Sequence, residues 1–123
     1  MPVGLGQSSV KGVVKKATRV CTDANGDVSY SGFGFQPVVV ALIAHKGAQC
    51  SWGFDDVSER ADVYDINASG MSWDSGYSIS LNDGSGNIQS GFCKSFDADG
   101  ITIQWSKSGN PTGTANILIL AIG

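Results

Sequence analysis

His45 is the sole histidine of the chain and Cys50 lies five residues beyond it, so a thiol–imidazole pair for nucleophilic catalysis is the first chemistry to test. No family signature surrounds either residue, and a polar histidine at a strand end facing solvent accounts for His45. Asp55 and Asp56 are adjacent carboxylates, but consecutive strand residues point to opposite faces, so the two are not placed to share a proton. Asp23-Ala24-Asn25-Gly26-Asp27 looks like a calcium loop, yet its glycine is fourth where an EF-hand needs it sixth, and Val28 holds that position. Asp97 and Asp99 suit an Asx-type turn. The chain contains no Gly-x-Ser-x-Gly and no phosphate-binding loop. The expectation is therefore no enzyme, no catalytic residue, no metal and no cofactor. Ligand recognition has better material: Trp52, Phe54, Asp55, Asp56, Trp73, Asp74 and Tyr77 combine aromatic faces with carboxylates, the chemistry that sugar rings use. Trp52, Asp55, Asp56, Trp73 and Asp74 are the glycan-contact candidates, with the same residues serving equally as core tryptophans and strand-ending aspartates.

The elements that must position these side chains are strands. Among 123 residues, 11 Val, 9 Ile and 5 Thr outnumber the 13 Leu, Met, Glu and Gln together, and there is a single Glu. That composition predicts an all-β chain with room for one domain. Charged residues are 15% of the chain, against roughly 25% in an average globular protein. No run approaches the roughly 20 apolar residues of a membrane helix, and Met1 to Val10 lacks a basic region followed by an apolar one, so neither membrane insertion nor secretion is expected. Cys21, Cys50 and Cys93 cannot all pair and contain no Cys-x-x-Cys, so free thiols in a reducing cytoplasm are expected.

A net charge of −3 argues against nucleic-acid binding, but the charges are segregated. Residues 1 to 22 carry Lys11, Lys15, Lys16 and Arg19 with no acid, whereas residues 55 to 74 carry six acids against Arg60. The two stretches can meet across copies, or the basic one can meet an acidic partner.

Along the chain, Met1 to Ser9 reads as a flexible arm and residues 10 to 123 as the domain. Residues 10 to 22 and Val28 onward are expected to form a hairpin through Asn25-Gly26 in a type I′ turn. Strands follow at 38–44, 50–54, 62–66, 77–81, 88–96, 101–105 and 116–122, and Val57 to Asp62 has room for one helical turn. Asn82 to Asn87 and Asp97 to Gly100 read as hairpin turns. Regular spacing with such punctuation predicts an antiparallel β-sandwich or barrel.

These strands are of two kinds. Tyr77 to Leu81 and Ile101 to Trp105 alternate, as expected for one face on a core and one on water. Val38 to Ala44 and Ile117 to Ile122 are apolar at nearly every position, and a two-layer domain offers them only one interior. The second face is expected to be buried by another copy, with Val38, Val40, Leu42, Ile117, Ile119 and Ile122 as interface residues; the alternative is that a loop or the N-terminal arm of the same chain covers it.

Gly32-Phe33-Gly34-Phe35-Gln36-Pro37 leading into an apolar strand, Ser51-Trp52-Gly53-Phe54-Asp55-Asp56, and Asp97 to Trp105 followed by Gly109 to Asn116 and an apolar last strand resemble phage virion accessory proteins of a β-sandwich type. The order of elements is similar to the H-type lectin fold. The resemblance spans Gly32 to Ile122 and consists of strand and turn signatures, with no active-site signature among them. It implies a jelly-roll or H-type-lectin-like antiparallel sandwich of six to eight strands, commonly trimeric, used as capsid decoration or as knobs on fibres and tails. The expectation is thus a homotrimeric capsid decoration or cement protein of a virion, made in the host cytoplasm. Its partners would be other copies and the major capsid protein or another virion protein, with Lys11, Lys15, Lys16 and Arg19 reaching an acidic shell. The alternative is a glycan-binding receptor module of a tail or fibre.

Overall fold

A computed structural model describes residues 10–123, so the expected arm at residues 1 to 9 lies outside the described residues. Among the described residues ten strands form: β1 (Gly12–Val20), β2 (Gly26–Tyr30), β3 (Val39–Lys46), β4 (Gln49–Asp55), β5 (Arg60–Asp65), β6 (Met71–Asp74), β7 (Ile79–Asn82), β8 (Ile88–Asp97), β9 (Gly100–Ser108) and β10 (Thr114–Ile122). They make two antiparallel sheets, one of six strands in the order β1-β10-β3-β4-β5-β6 and one of four in the order β2-β9-β8-β7. The all-β sandwich expected from composition is the fold; the strand count exceeds six to eight. Part of the excess is β6, a strand of only four residues, held to β5 by backbone pairing from Asp62↔Asp74 to Asp65↔Met71.

The core lies between the sheets. Val40, Leu42 and Ala44 of β3 and Ala115, Ile117, Ile119 and Ala121 of β10 meet Ile79, Leu81, Cys93, Ile101, Ile103 and Trp105 from the smaller sheet. On Ile101 to Trp105 the expected alternation holds, with Thr102 and Gln104 partly exposed. On β7 it does not, because Ser78 and Ser80 are buried as well as Ile79 and Leu81. Ser80 donates its backbone N–H to Ser51 Oγ of β4 (3.0 Å), so this edge strand lies directly on the inner face of the six-stranded sheet.

The expected hairpin between residues 10–22 and 28 onward does not form. β1 pairs with β10 and β2 pairs with β9, so residues 21 to 25 turn a corner from one sheet to the other. Gly26 has φ 149° and already belongs to β2, while the Asn25 carboxamide oxygen accepts the Lys107 N–H (2.9 Å); the Asn-Gly pair serves the corner. The other two turns join β7 to β8 and β8 to β9 as hairpins, as expected. Nor is there a helical turn at Val57 to Asp62. Asp56 Oδ1 accepts the Ser58 and Glu59 N–H groups (2.9 and 2.6 Å), closing a tight turn that delivers the chain into β5 at Arg60.

Gly53 fixes how closely the sheets approach. A Cβ at this position would be driven into the Ser78 carbonyl oxygen, which belongs to backbone and cannot swing away. Gly53→Ala is expected to lower stability by about 2 kcal/mol or more, the cost of overpacking against backbone. A loss of unfolding free energy, read from urea titration, of less than about 0.5 kcal/mol would contradict the close approach.

Candidate functional site

The outer face of the six-stranded sheet is built by strand parity. On β4 the inward positions are Gln49, Ser51, Gly53 and Asp55, which puts Cys50, Trp52 and Phe54 outside. On β3 and β10, Val40, Leu42, Ile117 and Ile119 point inward, which puts Ala41, Ile43, Leu118 and Leu120 outside. The register aligns these outward residues into rows across the sheet. One row runs Lys16, Leu118, Ile43, Trp52, Val63, Trp73 from β1 to β6. Beside it runs Val14, Leu120, Ala41, Phe54, Ala61, and on the other side Thr18, Asn116, His45, Cys50, Asp65, Met71. Neighbouring strands are about 4.8 Å apart, so each six-residue row is about 24 Å long. Nine large apolar side chains on this face are exposed, from Leu118 at 38% to Trp73 at 71%. At the β1 side, Lys16, Thr18, Ile43, His45, Asn116 and Leu118 line a shallow open groove of about 670 Å³.

Isolated exposed apolar residues are ordinary, but a contiguous apolar face of this extent on a monomer marks an interaction site. The doubly apolar strands therefore have one face in the core and one uncovered among the described residues. Four of the six residues expected at an interface are, however, the inward alternates. Val40, Leu42, Ile117 and Ile119 are fully or almost fully buried between the sheets and have no surface to offer. Ile122 is half-buried at the end of β10, and Val38 is exposed just before β3. An all-apolar strand has no polar positions to reveal its parity, so sequence selected the inward set. Gly53 carried the missing signal: a strand glycine marks close backbone approach, which makes Gly53 inward and Trp52 and Phe54 outward, and the register then fixes Ile43 and Leu118.

The basic candidates also separate by parity. Lys11 and Lys16 are exposed. Lys15 lies on the inner side of β1, half-buried. Arg19 is buried: its Nη2 donates to the Ala24 carbonyl (2.9 Å), its Nε reaches Gln89 Oε1 (3.4 Å), and its guanidinium stacks 5.2 Å from the Trp105 ring centroid. It is a structural cation at the sheet corner and is unavailable to a shell surface.

Of the glycan candidates, Trp52 and Trp73 share the central row on either side of Val63. Asp55 faces the opposite way and is fully enclosed. Its Oδ2 accepts from Arg60 Nε (3.1 Å), Ser78 Oγ (2.8 Å) and the Cys93 N–H (2.9 Å), and its Oδ1 accepts the Val57 N–H (2.8 Å). This carboxylate ties β4 to β8 across the sandwich and holds Val57 at φ 78°, a strained conformation for a β-branched residue. Arg60 is held in turn by the Val57 and Cys93 carbonyls and lies 4.5 Å from the Phe92 ring centroid. Asp56 is spent on its turn, and Asp74 accepts the Gly76 N–H. The carboxylates and tryptophans do not converge on one sugar-sized site.

His45 and Cys50 are directly opposed on β3 and β4. Neither side chain makes a hydrogen bond among the described residues, so no third group orients an imidazole for base catalysis. The cysteines are free, with Cys21 and Cys93 buried and burial raising both thiols. No three His, Cys, Asp or Glu side chains among the described residues are grouped to hold a metal.

A second buried carboxylate went unnoticed in the sequence. Asp62 Oδ2 accepts from Ser80 Oγ (2.6 Å), while its buried Oδ1 has no hydrogen-bond partner. Desolvation pushes this acid up to about 6, outweighing the Ser80 hydroxyl, which acts to lower it. Because the folded value lies above the unfolded one, the folded state binds the proton more tightly, and stability falls as pH rises from about 4 to about 6. Asp62→Asn is expected to remove this fall between pH 4 and 6.5, read as the change in thermal midpoint across that range. An unchanged pH profile in the variant would contradict an uncompensated buried acid. Comparison with protein-family models, with curated proteins and with solved structures finds no match to the chain.

Proposed function

We propose that this chain is a structural subunit of a phage particle, a capsid decoration or cement protein that works as a homotrimer and stabilises the shell. One observation carries the reading: the outer face of the six-stranded sheet presents nine large apolar side chains in aligned rows. Fully burying such a side chain contributes about 1.5–3 kcal/mol, so even half-exposed ones together favour association by several kcal/mol per copy. The strand-and-turn resemblance from Gly32 to Ile122 supports the virion setting, and of the basic candidates the exposed Lys11 remains as a contact to an acidic shell protein.

A second reading, a carbohydrate-binding module of a tail or fibre, is favoured by Trp52 and Trp73. Two strand spacings separate them in one row, about 10 Å, and both indoles face outward for stacking on sugar faces. The two readings compete for one face, because an assembled face is closed to glycans. At micromolar concentration the purified protein is expected to sediment with three times the 12.7 kDa chain mass, and Ile43→Glu is expected to return it to the monomer with its fold intact. A wild-type monomer whose glycan-array binding disappears in Trp73→Ala would replace the first reading with the second.

A further inference from the structure

We infer that the partner of this face is a second copy of the chain, turned about an axis that runs along the strands, so that the basic β1 edge of one copy meets the acidic β5–β6 edge of the next. The inference rests on the proposed assembly and adds the orientation of its subunits. Two independent features of the sheet point to it.

The first is charge placement. The basic stretch lies on β1, at one end of the order β1-β10-β3-β4-β5-β6, and the acids of the acidic stretch that are not buried lie toward the other end, on β5, β6 and the turn before β5. Lys11 and Lys16 are exposed at the first edge. Asp74 on β6 and Asp65 on the adjoining β5, both half-buried, stand toward the other, while Asp56 and Glu59 are exposed in the β4–β5 turn at the end of the strands. A copy that packed with like edges together would set lysine against lysine and carboxylate against carboxylate. Unlike edges give attraction at every junction, and a head-to-tail contact of this kind makes a ring when its rotation closes, as a third of a turn does.

The second is register. Rotation about an axis parallel to the strands leaves each cross-strand row at its own height. The row that begins at Lys16 ends at Trp73, so the rotation brings the Lys16 ammonium of one copy to the Trp73 indole of the next, an arrangement suited to cation–π contact, with Asp65 one row away. Three sheets around such an axis form a prism whose interior is the apolar face and whose corners are the charged edges. One rotation thus covers the apolar rows and pairs the charges.

Residues 1 to 9 are a poor alternative cover. Their only large apolar side chains are Met1, Val3 and Leu5, against nine on the face.

The test is charge reversal at each edge, read by sedimentation equilibrium at low and high salt with folding checked by circular dichroism. Lys16→Glu and Asp65→Lys are each expected to weaken self-association about tenfold, and the double variant to restore it to within about threefold of wild type. Rings in which neither reversal changes the dissociation constant, while Ile43→Glu still disperses them, would overturn the edge contact and leave the assembly standing. A closed dimer would overturn the three-membered ring. A wild-type monomer at tens of micromolar would overturn both the inference and the assembly, and self-association appearing only after deletion of residues 1 to 9 would make that segment the occupant in place of a second copy.

Discussion

A sandwich gives each sheet one dry face, and that limit governs this molecule. Its central strands β3 and β10 are apolar on both sides, but the four-stranded layer covers only one side of the six-stranded sheet. Covering the inner side uses Val40, Leu42, Ile117 and Ile119; the outer side leaves Ile43, Leu118 and Leu120 in water together with the aromatics of β4 and β6. Hydrophobic burial scales with area, so the uncovered face is where the chain has most to gain from a partner. The low share of charged residues follows from the same requirement, because two faces of one sheet must both be apolar.

Which side chains fall on which face is decided by a polar device inside the sandwich. Asp55 receives four donors from β4's own turn, from Arg60, from Ser78 and from β8, and Gly53 beside it lets the two layers come together. Losing the carboxylate would leave the part-buried Arg60 without its counter-charge and three donors at the sheet interface without their acceptor. With Asp55 locked inward, Trp52 and Phe54 must point outward, and the antiparallel register carries that choice through β3, β10, β5 and β6. The apolar face is therefore the far side of the Asp55 tie.

Much of this was legible from residue types. β-branched abundance, turn punctuation at Asn82–Asn87 and Asp97–Gly100, and the doubly apolar runs predict two antiparallel layers and a second apolar face outside the sandwich interior. What sequence missed has physical causes. Parity is silent where every position is apolar, so the inward alternates were chosen for the interface. Asp55 and Arg19 read as surface charges because burial of a charge depends on partners remote in sequence, Ser78 and Cys93 for one and Gln89 and Trp105 for the other. The Asn25-Gly26 hairpin failed because Asn25 caps a strand end far along the chain, and a local turn signal yielded to that contact. Strand β6 alternates over only four residues, Met71 and Trp73 outward with Ser72 and Asp74 on the other side, a run too short to stand out as a strand.

The central claim is that the outer face is closed by other copies of the chain. Its tryptophans report on this directly, because Trp52 and Trp73 lie on that face while Trp105 is in the core of each copy. Iodide quenching of tryptophan fluorescence, followed as the protein is diluted from tens of micromolar to nanomolar, is the most direct measurement. The account predicts strong protection at high concentration and the appearance of a quenchable population on dilution, the latter absent when Trp52 and Trp73 are both replaced by Phe. Full accessibility of both tryptophans at every concentration would contradict it.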